Sequence, residues 1–136
     1  MARKRNAPDS ILIYGRSMGT GIAAWLASQR PARGLVLETP YRSIPSLVAT
    51  WMPIWPVRRL SRFQLPTEEY LLRVSMPVSM FHGSKDGVIP IAHAAGLQAV
   101  LKPGDRFITI DGAGHNDLPA HVSYTRAMDS LLIPQE

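Results

Sequence analysis

The chain has 136 residues, 46% of them apolar and 18% charged, with a net charge of +5 and no cysteine. That balance suits one folded domain and excludes an intrinsically disordered chain. The absence of cysteine excludes disulfides, thiolate metal sites and a cysteine nucleophile. No apolar run reaches the roughly 18–20 residues that cross a bilayer, and the longest candidate, Ser46 to Trp55, is interrupted by Pro53. Arg3, Lys4 and Arg5 form a short basic start. No apolar stretch follows them as in a secretory signal, and they read as a solvated terminus rather than a nucleic-acid arm. A cytoplasmic protein without a membrane span or a nucleic-acid partner is expected.

Taken in order, Ser10-Ile-Leu-Ile-Tyr-Gly is a short apolar run with the character of a buried strand. A glycine-dense stretch, Gly15 to Gly21, follows it, and then good helix formers from Ile22 to Gln29. Gly34 to Pro40 predicts a second strand. Ser46 to Trp51 is a helical turn interrupted by Pro53 and Pro56. Thr67 to Arg73 is a short helix with Thr67 as cap and Glu68 and Glu69 in its first turn. Pro77 to Gly83 predicts a third strand, Ala92 to Leu101 a helix, Arg106 to Ile110 a fourth strand, and Pro119 to Leu132 a closing helix. Strands alternating with helices imply an α/β domain with a parallel sheet of about four strands, joined by right-handed crossovers. Residues 43–75 replace a simple crossover and read as a cap-like insert within this one domain. No internal repeat or low-complexity tract is visible.

Chemistry is expected at the carboxyl ends of the strands. Gly15-Arg16-Ser17-Met18-Gly19 fits G-x-S-x-G between a predicted strand and a predicted helix. Such a serine sits on a sharp, strained turn, and glycines two before and two after leave room for close chain approach. The Met18 N–H at the helix start is the expected oxyanion donor. A serine hydroxyl needs a base, and the base needs an orienting acid. Asp86 in His82-Gly-Ser-Lys-Asp-Gly-Val-Ile-Pro follows the third strand, and His115 in Gly112-Ala-Gly-His-Asn-Asp follows the fourth. Their chain order, Ser then Asp then His, is the one this turn accompanies. Glu38, at the end of the second strand, is a rival for the acid. Asp111 and Asp117 are candidates for a supporting role near His115. His82, His93 and His121 read as packing or surface residues. No pair of histidines has a metal-ligand spacing, so neither a metal nor a cofactor is expected.

These three segments, together with Gly34-Leu-Val-Leu-Glu-Thr-Pro-Tyr-Arg-Ser-Ile and the insert Trp51-Met-Pro-Ile-Trp-Pro-Val-Arg-Arg-Leu, resemble the α/β-hydrolase superfamily. The nearest branch is the serine aminopeptidase-like and acyl-protein-thioesterase-like hydrolases. The resemblance covers residues 10–120. It implies a serine hydrolase with Ser17 as nucleophile, Asp86 as acid, His115 as base and Met18 as oxyanion donor, acting on an ester, thioester, lipid or peptide. Trp51, Trp55 and Tyr41 are the candidates to line the substrate site, although packing of the insert onto the body is the favoured use for the tryptophans. Arg58, Arg59 and Arg62 read as a solvated face. A complete member carries further strands before the nucleophile strand, so the resemblance implies the C-terminal half only. The first strand would then be a sheet edge open to self-association. A truncated, weakly active or inactive chain that needs another is the competing reading.

Overall fold

A computed structural model of the chain describes residues 7–52 and 64–133. Trp55, Ile54, Arg58, Arg59 and Arg62, and the middle of the expected insert, lie outside the described residues. Four parallel strands form one sheet in the order of the chain: β1 (Leu12–Arg16), β2 (Gly34–Glu38), β3 (Val78–Gly83) and β4 (Arg106–Ile110). Among the described residues β1 pairs with β2 alone. The helices are α1 (Gly19–Gln29), α2 (Ile44–Trp51), α3 (Thr67–Leu71), α4 (Ile91–Ala95) and α5 (Val122–Leu132).

The apolar runs of β2 and β3 are buried along their whole length, as befits strands covered on both faces. Alternate side chains divide between two cores. Leu35, Leu37, Val78 and Met80 pack with Ile13 of β1, with Ala23, Ala24 and Ala27 of α1, and with Leu71 of α3. Val36, Phe81 and Ile110 pack with Leu118 and with Tyr124 of α5. Phe81 and Tyr124 meet edge to face, with ring centroids 5.2 Å apart. The small alanine face of α1 is what allows that helix to lie close on the sheet.

Several boundaries depart from the sequence expectation. Helix α1 begins at Gly19, three residues before Ile22, so its glycines lie inside the helix. Helix α2 begins at Ile44 behind a reciprocal cap between Ser43 and Ser46, with Pro45 in its first turn, where the missing N–H costs nothing. Thr67 does not cap α3. Pro66 holds that position, and Thr67 is buried as the first helical residue. The stretch expected as one helix from Ala92 to Leu101 is α4 followed by a 3₁₀ turn, Gly96–Val100. Pro119 lies in a separate 3₁₀ turn, Leu118–Ala120, ahead of α5. Among the described residues, no helix is long and apolar enough to cross a membrane.

Candidate active site

The turn from β1 into α1 is held from three sides. Ser17 takes a left-handed backbone conformation, φ 51°, which a residue with a Cβ rarely adopts. Its N–H donates to the Glu38 carbonyl at 2.9 Å, which continues the β1–β2 pairing by one residue. Its own carbonyl accepts from the Thr20 hydroxyl at 2.6 Å and from the Thr20 N–H at 3.0 Å. A second strained residue, Thr39 with φ 49°, closes β2 beside the same turn, and such clustering is typical where a backbone is over-determined for function.

The two glycines of the motif are not equivalent. A Cβ on Gly15 would stand 2.5 Å from Ala23 Cβ and 2.7 Å from the Gly19 carbonyl oxygen. A Cβ on Gly19 would meet nothing within 4 Å. The expectation that both provide steric room therefore holds at Gly15 and fails at Gly19, because Gly19 opens the exposed end of α1 rather than the helix–sheet contact.

Ser17 Oγ lies 3.0 Å from His115 Nε2. On the other side of the ring, His115 Nδ1 lies 2.9 Å from Asp86 Oδ2. These contacts join residues from the ends of β1, β3 and β4 into one line. The Asp86 side chain is fully buried and that of His115 is 12% exposed. Asp86 Oδ1 accepts from the N–H groups of Val88 at 2.9 Å and Ile89 at 2.8 Å. Its orientation is therefore dictated by its own loop, and Oδ2 is left to face the imidazole. The line can draw a proton from the serine hydroxyl and hold the resulting imidazolium against a carboxylate. Met18 stands at the N-cap of α1 in helical conformation, so its N–H is one of the helix's outward donors, beside Ser17 Oγ.

The loops carrying the acid and the histidine are joined to each other. Lys85 N–H donates to the Ala113 carbonyl at 2.9 Å and Ser84 N–H to Ile110 at 3.1 Å. The Ser84 hydroxyl accepts from Gly112 N–H at 2.8 Å and donates to Asp111 at 3.2 Å. Gly112 has φ 78°, the turn that redirects the chain after β4. Asp117 accepts from Gly114 N–H at 2.5 Å, and this backbone hydrogen bond holds its carboxyl below the usual carboxylate range. Both aspartates near His115 thus shape its loop and do not contact its ring.

His82 is buried rather than exposed, with Nε2–H donating to the Ile89 carbonyl at 2.6 Å and lying 3.4 Å from Asp86 Oδ2. Burial lowers its pKa below the ordinary histidine value. It therefore braces the acid loop as a neutral ring. Glu38 is buried as well, but its carboxylate meets the Tyr124 hydroxyl and Arg16, not His115. Asp86, and not its rival Glu38, is the carboxylate at the imidazole.

The three residues expected around a substrate separate. Tyr41 has no exposed surface. Its hydroxyl donates to the Met18 carbonyl at 2.9 Å, and burial pushes its pKa up to about 12. The expectation that Tyr41 lines the substrate site is corrected: it is a strut beneath the serine turn, because the chain turning at Pro40 directs it inward. Trp51 is 58% exposed, and its indole N–H donates to the Val88 carbonyl at 3.2 Å, which ties the end of α2 to the acid loop. Trp55 lies outside the described residues. Among those residues, no group of three or more His, Cys, Asp or Glu is placed to hold a metal ion.

One feature was missed at the level of sequence: Arg16, whose Nη2 donates to Asn116 Oδ1 at 2.8 Å and to the His115 carbonyl at 3.3 Å. No local signal marks it.

Comparison with known proteins gives a consistent picture. No family model matches the chain. An uncharacterized protein of Mycobacterium tuberculosis is 34% identical over 110 residues, covering 81% of this chain and 39% of that protein. The alpha/beta hydrolase domain-containing protein aho-3 of Caenorhabditis elegans is 30% identical over 129 residues, covering 91% of this chain and 36% of that one. The chain thus spans under two fifths of the length of these relatives. Among solved structures, the esterase domain of a Rhodothermus marinus protein superposes with a TM-score of 0.62 at 18% identity, covering 89% of this chain and 56% of that domain. At that identity the superposition speaks for the fold.

Proposed function

On the α/β-hydrolase fold that this chain carries, we propose that it is a serine hydrolase that cleaves carboxylic esters or thioesters through an acyl-enzyme on Ser17. The observation that carries the reading is the unbroken line from Ser17 Oγ through the His115 ring to Asp86, with contacts of 3.0 and 2.9 Å. His115 Nε2 takes the hydroxyl proton as Ser17 Oγ bonds to the substrate carbonyl carbon. The carbonyl oxygen becomes an oxyanion facing the Met18 N–H. Collapse breaks the bond to the alcohol or thiol, which leaves with the proton from His115. Water, deprotonated by the same nitrogen, then releases the acid and restores Ser17. Asp86 remains ionised and keeps Nδ1 protonated throughout.

A fluorophosphonate should label the intact chain at Ser17, and Ser17→Ala should abolish labelling. Labelling that persists in the variant would sink the assignment. Trp51, whose indole N–H meets the Val88 carbonyl of the acid loop, is the proposed wall for the acyl group.

A second reading concerns association. On the β1 side of the fold Tyr14 is 49%, Ile22 56%, Trp25 48% and Leu26 40% exposed, and β1 has one pairing partner among the described residues. An unpaired edge beside apolar side chains favours strand addition by another chain, and a second copy is the occupant proposed. Light scattering on the eluted chain decides this, since a monomer at all concentrations with full labelling at Ser17 would exclude it.

A further inference from the structure

We infer that Arg16 is a positioning residue for His115: anchored on the buried Glu38 carboxylate, it clamps the loop that carries the imidazole against Ser17. This inference rests on the serine-hydrolase reading of Ser17.

The starting observation is Glu38. It is 1% exposed, at the carboxyl end of β2, and a carboxylate is not retained there without partners. It takes no part in the line through His115. One oxygen accepts from the Tyr124 hydroxyl of α5, and the other lies 3.7 Å from Arg16 Nε. Tyr14 is also beside it. Burial and this carboxylate push the Tyr14 pKa up to about 12, so both phenols stay protonated as donors. Arg16 and Glu38 are cross-strand neighbours in the β1–β2 register, which brings the two charges together without any long loop.

The guanidinium is 44% exposed on its outer side. There, Nη2 forks between the His115 carbonyl at 3.3 Å and Asn116 Oδ1 at 2.8 Å. The other bonds to this loop come from the β3 side or from within it, as the Lys85–Ala113 and Gly114–Asp117 contacts do. Apart from the Ser17–His115 contact itself, Arg16 alone among the described residues joins the His115 loop by a side chain to the β1 end that carries the nucleophile. The path from α5 through Tyr124, Glu38 and Arg16 to His115 sets the distance between base and nucleophile. Displacing a reacting group by about 1 Å can cost on the order of 100-fold in rate.

The test uses the 136-residue chain as wild type, Arg16→Met, Arg16→Met with Glu38→Gln, and Asn116→Ala alone and with Arg16→Met. The readouts are the rate of fluorophosphonate labelling at Ser17, amide exchange across residues 112–116, and the thermal midpoint. Arg16→Met is expected to slow labelling about 10- to 100-fold and to speed exchange across that loop. In the pair with Glu38→Gln, the uncompensated buried charge is gone, so the thermal midpoint should recover while labelling stays slow. Adding Arg16→Met to Asn116→Ala should cost less than it does in wild type, because both act through one contact. Wild-type labelling in Arg16→Met, or full recovery of labelling when Glu38→Gln is added, would overturn the inference. A wild type that never labels would remove the serine-hydrolase reading, and with it the catalytic meaning of the clamp. Exchange across residues 112–116 would still decide the clamp itself, since equal exchange in Arg16→Met overturns it.

Discussion

Replacing Asp86 with asparagine separates the electrostatic part of the site from its architecture. Oδ1 receives two backbone N–H groups, from Val88 and Ile89, and only an oxygen can accept them. The asparagine carbonyl must therefore take that place, which puts its NH2 where Oδ2 now meets His115 Nδ1 at 2.9 Å. A donor would then face a donor. The ring responds by carrying its proton on Nε2, the atom 3.0 Å from Ser17 Oγ, and it ceases to be a base toward the serine. Locking a histidine in the wrong tautomer costs about 10⁴ in rate, or about 5.5 kcal/mol of transition-state stabilisation. Stability should respond differently, because the backbone hydrogen bonds survive. Asp86→Asn should unfold near the wild-type midpoint, whereas Asp86→Ala takes the acceptor from the Val88 N–H and strands the buried Ile89 N–H, and should lose roughly 1–3 kcal/mol. Fluorophosphonate labelling and thermal unfolding of both variants check this. Asp86→Asn keeping more than about a tenth of the wild-type labelling rate, far above the tautomer effect, would refute the reasoning, as would equal destabilisation by the two substitutions.

Three further outcomes are expected. Gly15→Ala should destabilise by about 1–3 kcal/mol through overpacking against Ala23, while Gly19→Ala, with open space around its Cβ, should gain about 0.5 kcal/mol of helix stability; denaturant midpoints of equal sign would contradict the contact geometry. Tyr124→Phe should cost about 1.5–3 kcal/mol, the worth of a hydrogen bond to a charged group, because it removes a donor from buried Glu38; unchanged thermal stability would mean that carboxylate is satisfied without it. Burial holds the His82 pKa below 6.5, so the unfolded chain takes up a proton that the folded chain refuses, and stability is lost as pH falls below that value, by up to about 1.4 kcal/mol per pH unit. His93 is lowered the same way, by burial and then by Arg42, and adds to the slope. Urea unfolding from neutral to mildly acid pH should show a shallower loss in His82→Gln, and an unchanged slope would show that His82 does not contribute.

What the sequence reveals depends on how local the cause is. The strands at Gly34–Glu38 and Val78–Gly83 were visible because burial on both faces demands continuous apolar runs bounded by glycine or proline. The convergence of Ser17, Asp86 and His115 was visible because each follows a strand, and a parallel sheet gathers such positions at one end. Tyr41 was misread because nothing in Thr-Pro-Tyr-Arg tells whether the ring turns outward or toward Met18. The split of the expected Ala92–Leu101 helix was hidden because the change to 3₁₀ geometry at Gly96 leaves the apolar pattern intact. Arg16 and Glu38 were the least legible. Their neighbourhood exists only after β1 and β2 pair, and the groups Arg16 holds are 99 and 100 residues away.

Among the described residues β1 pairs with β2 alone, and this has a kinetic consequence for the chemistry proposed at Ser17. A strand paired on one side opens locally at lower free energy than one paired on both, and β1 leads directly into Ser17, whose N–H is held by the Glu38 carbonyl. Each such opening withdraws the hydroxyl from the imidazole, so under the proposed serine-hydrolase mechanism the reactive fraction is the fraction with β1 closed. A chain that adds a strand to β1 closes that equilibrium without touching the substrate. Its effect would be read as a higher apparent rate at unchanged intrinsic chemistry, rising with the concentration of the added chain and saturating when every β1 is paired.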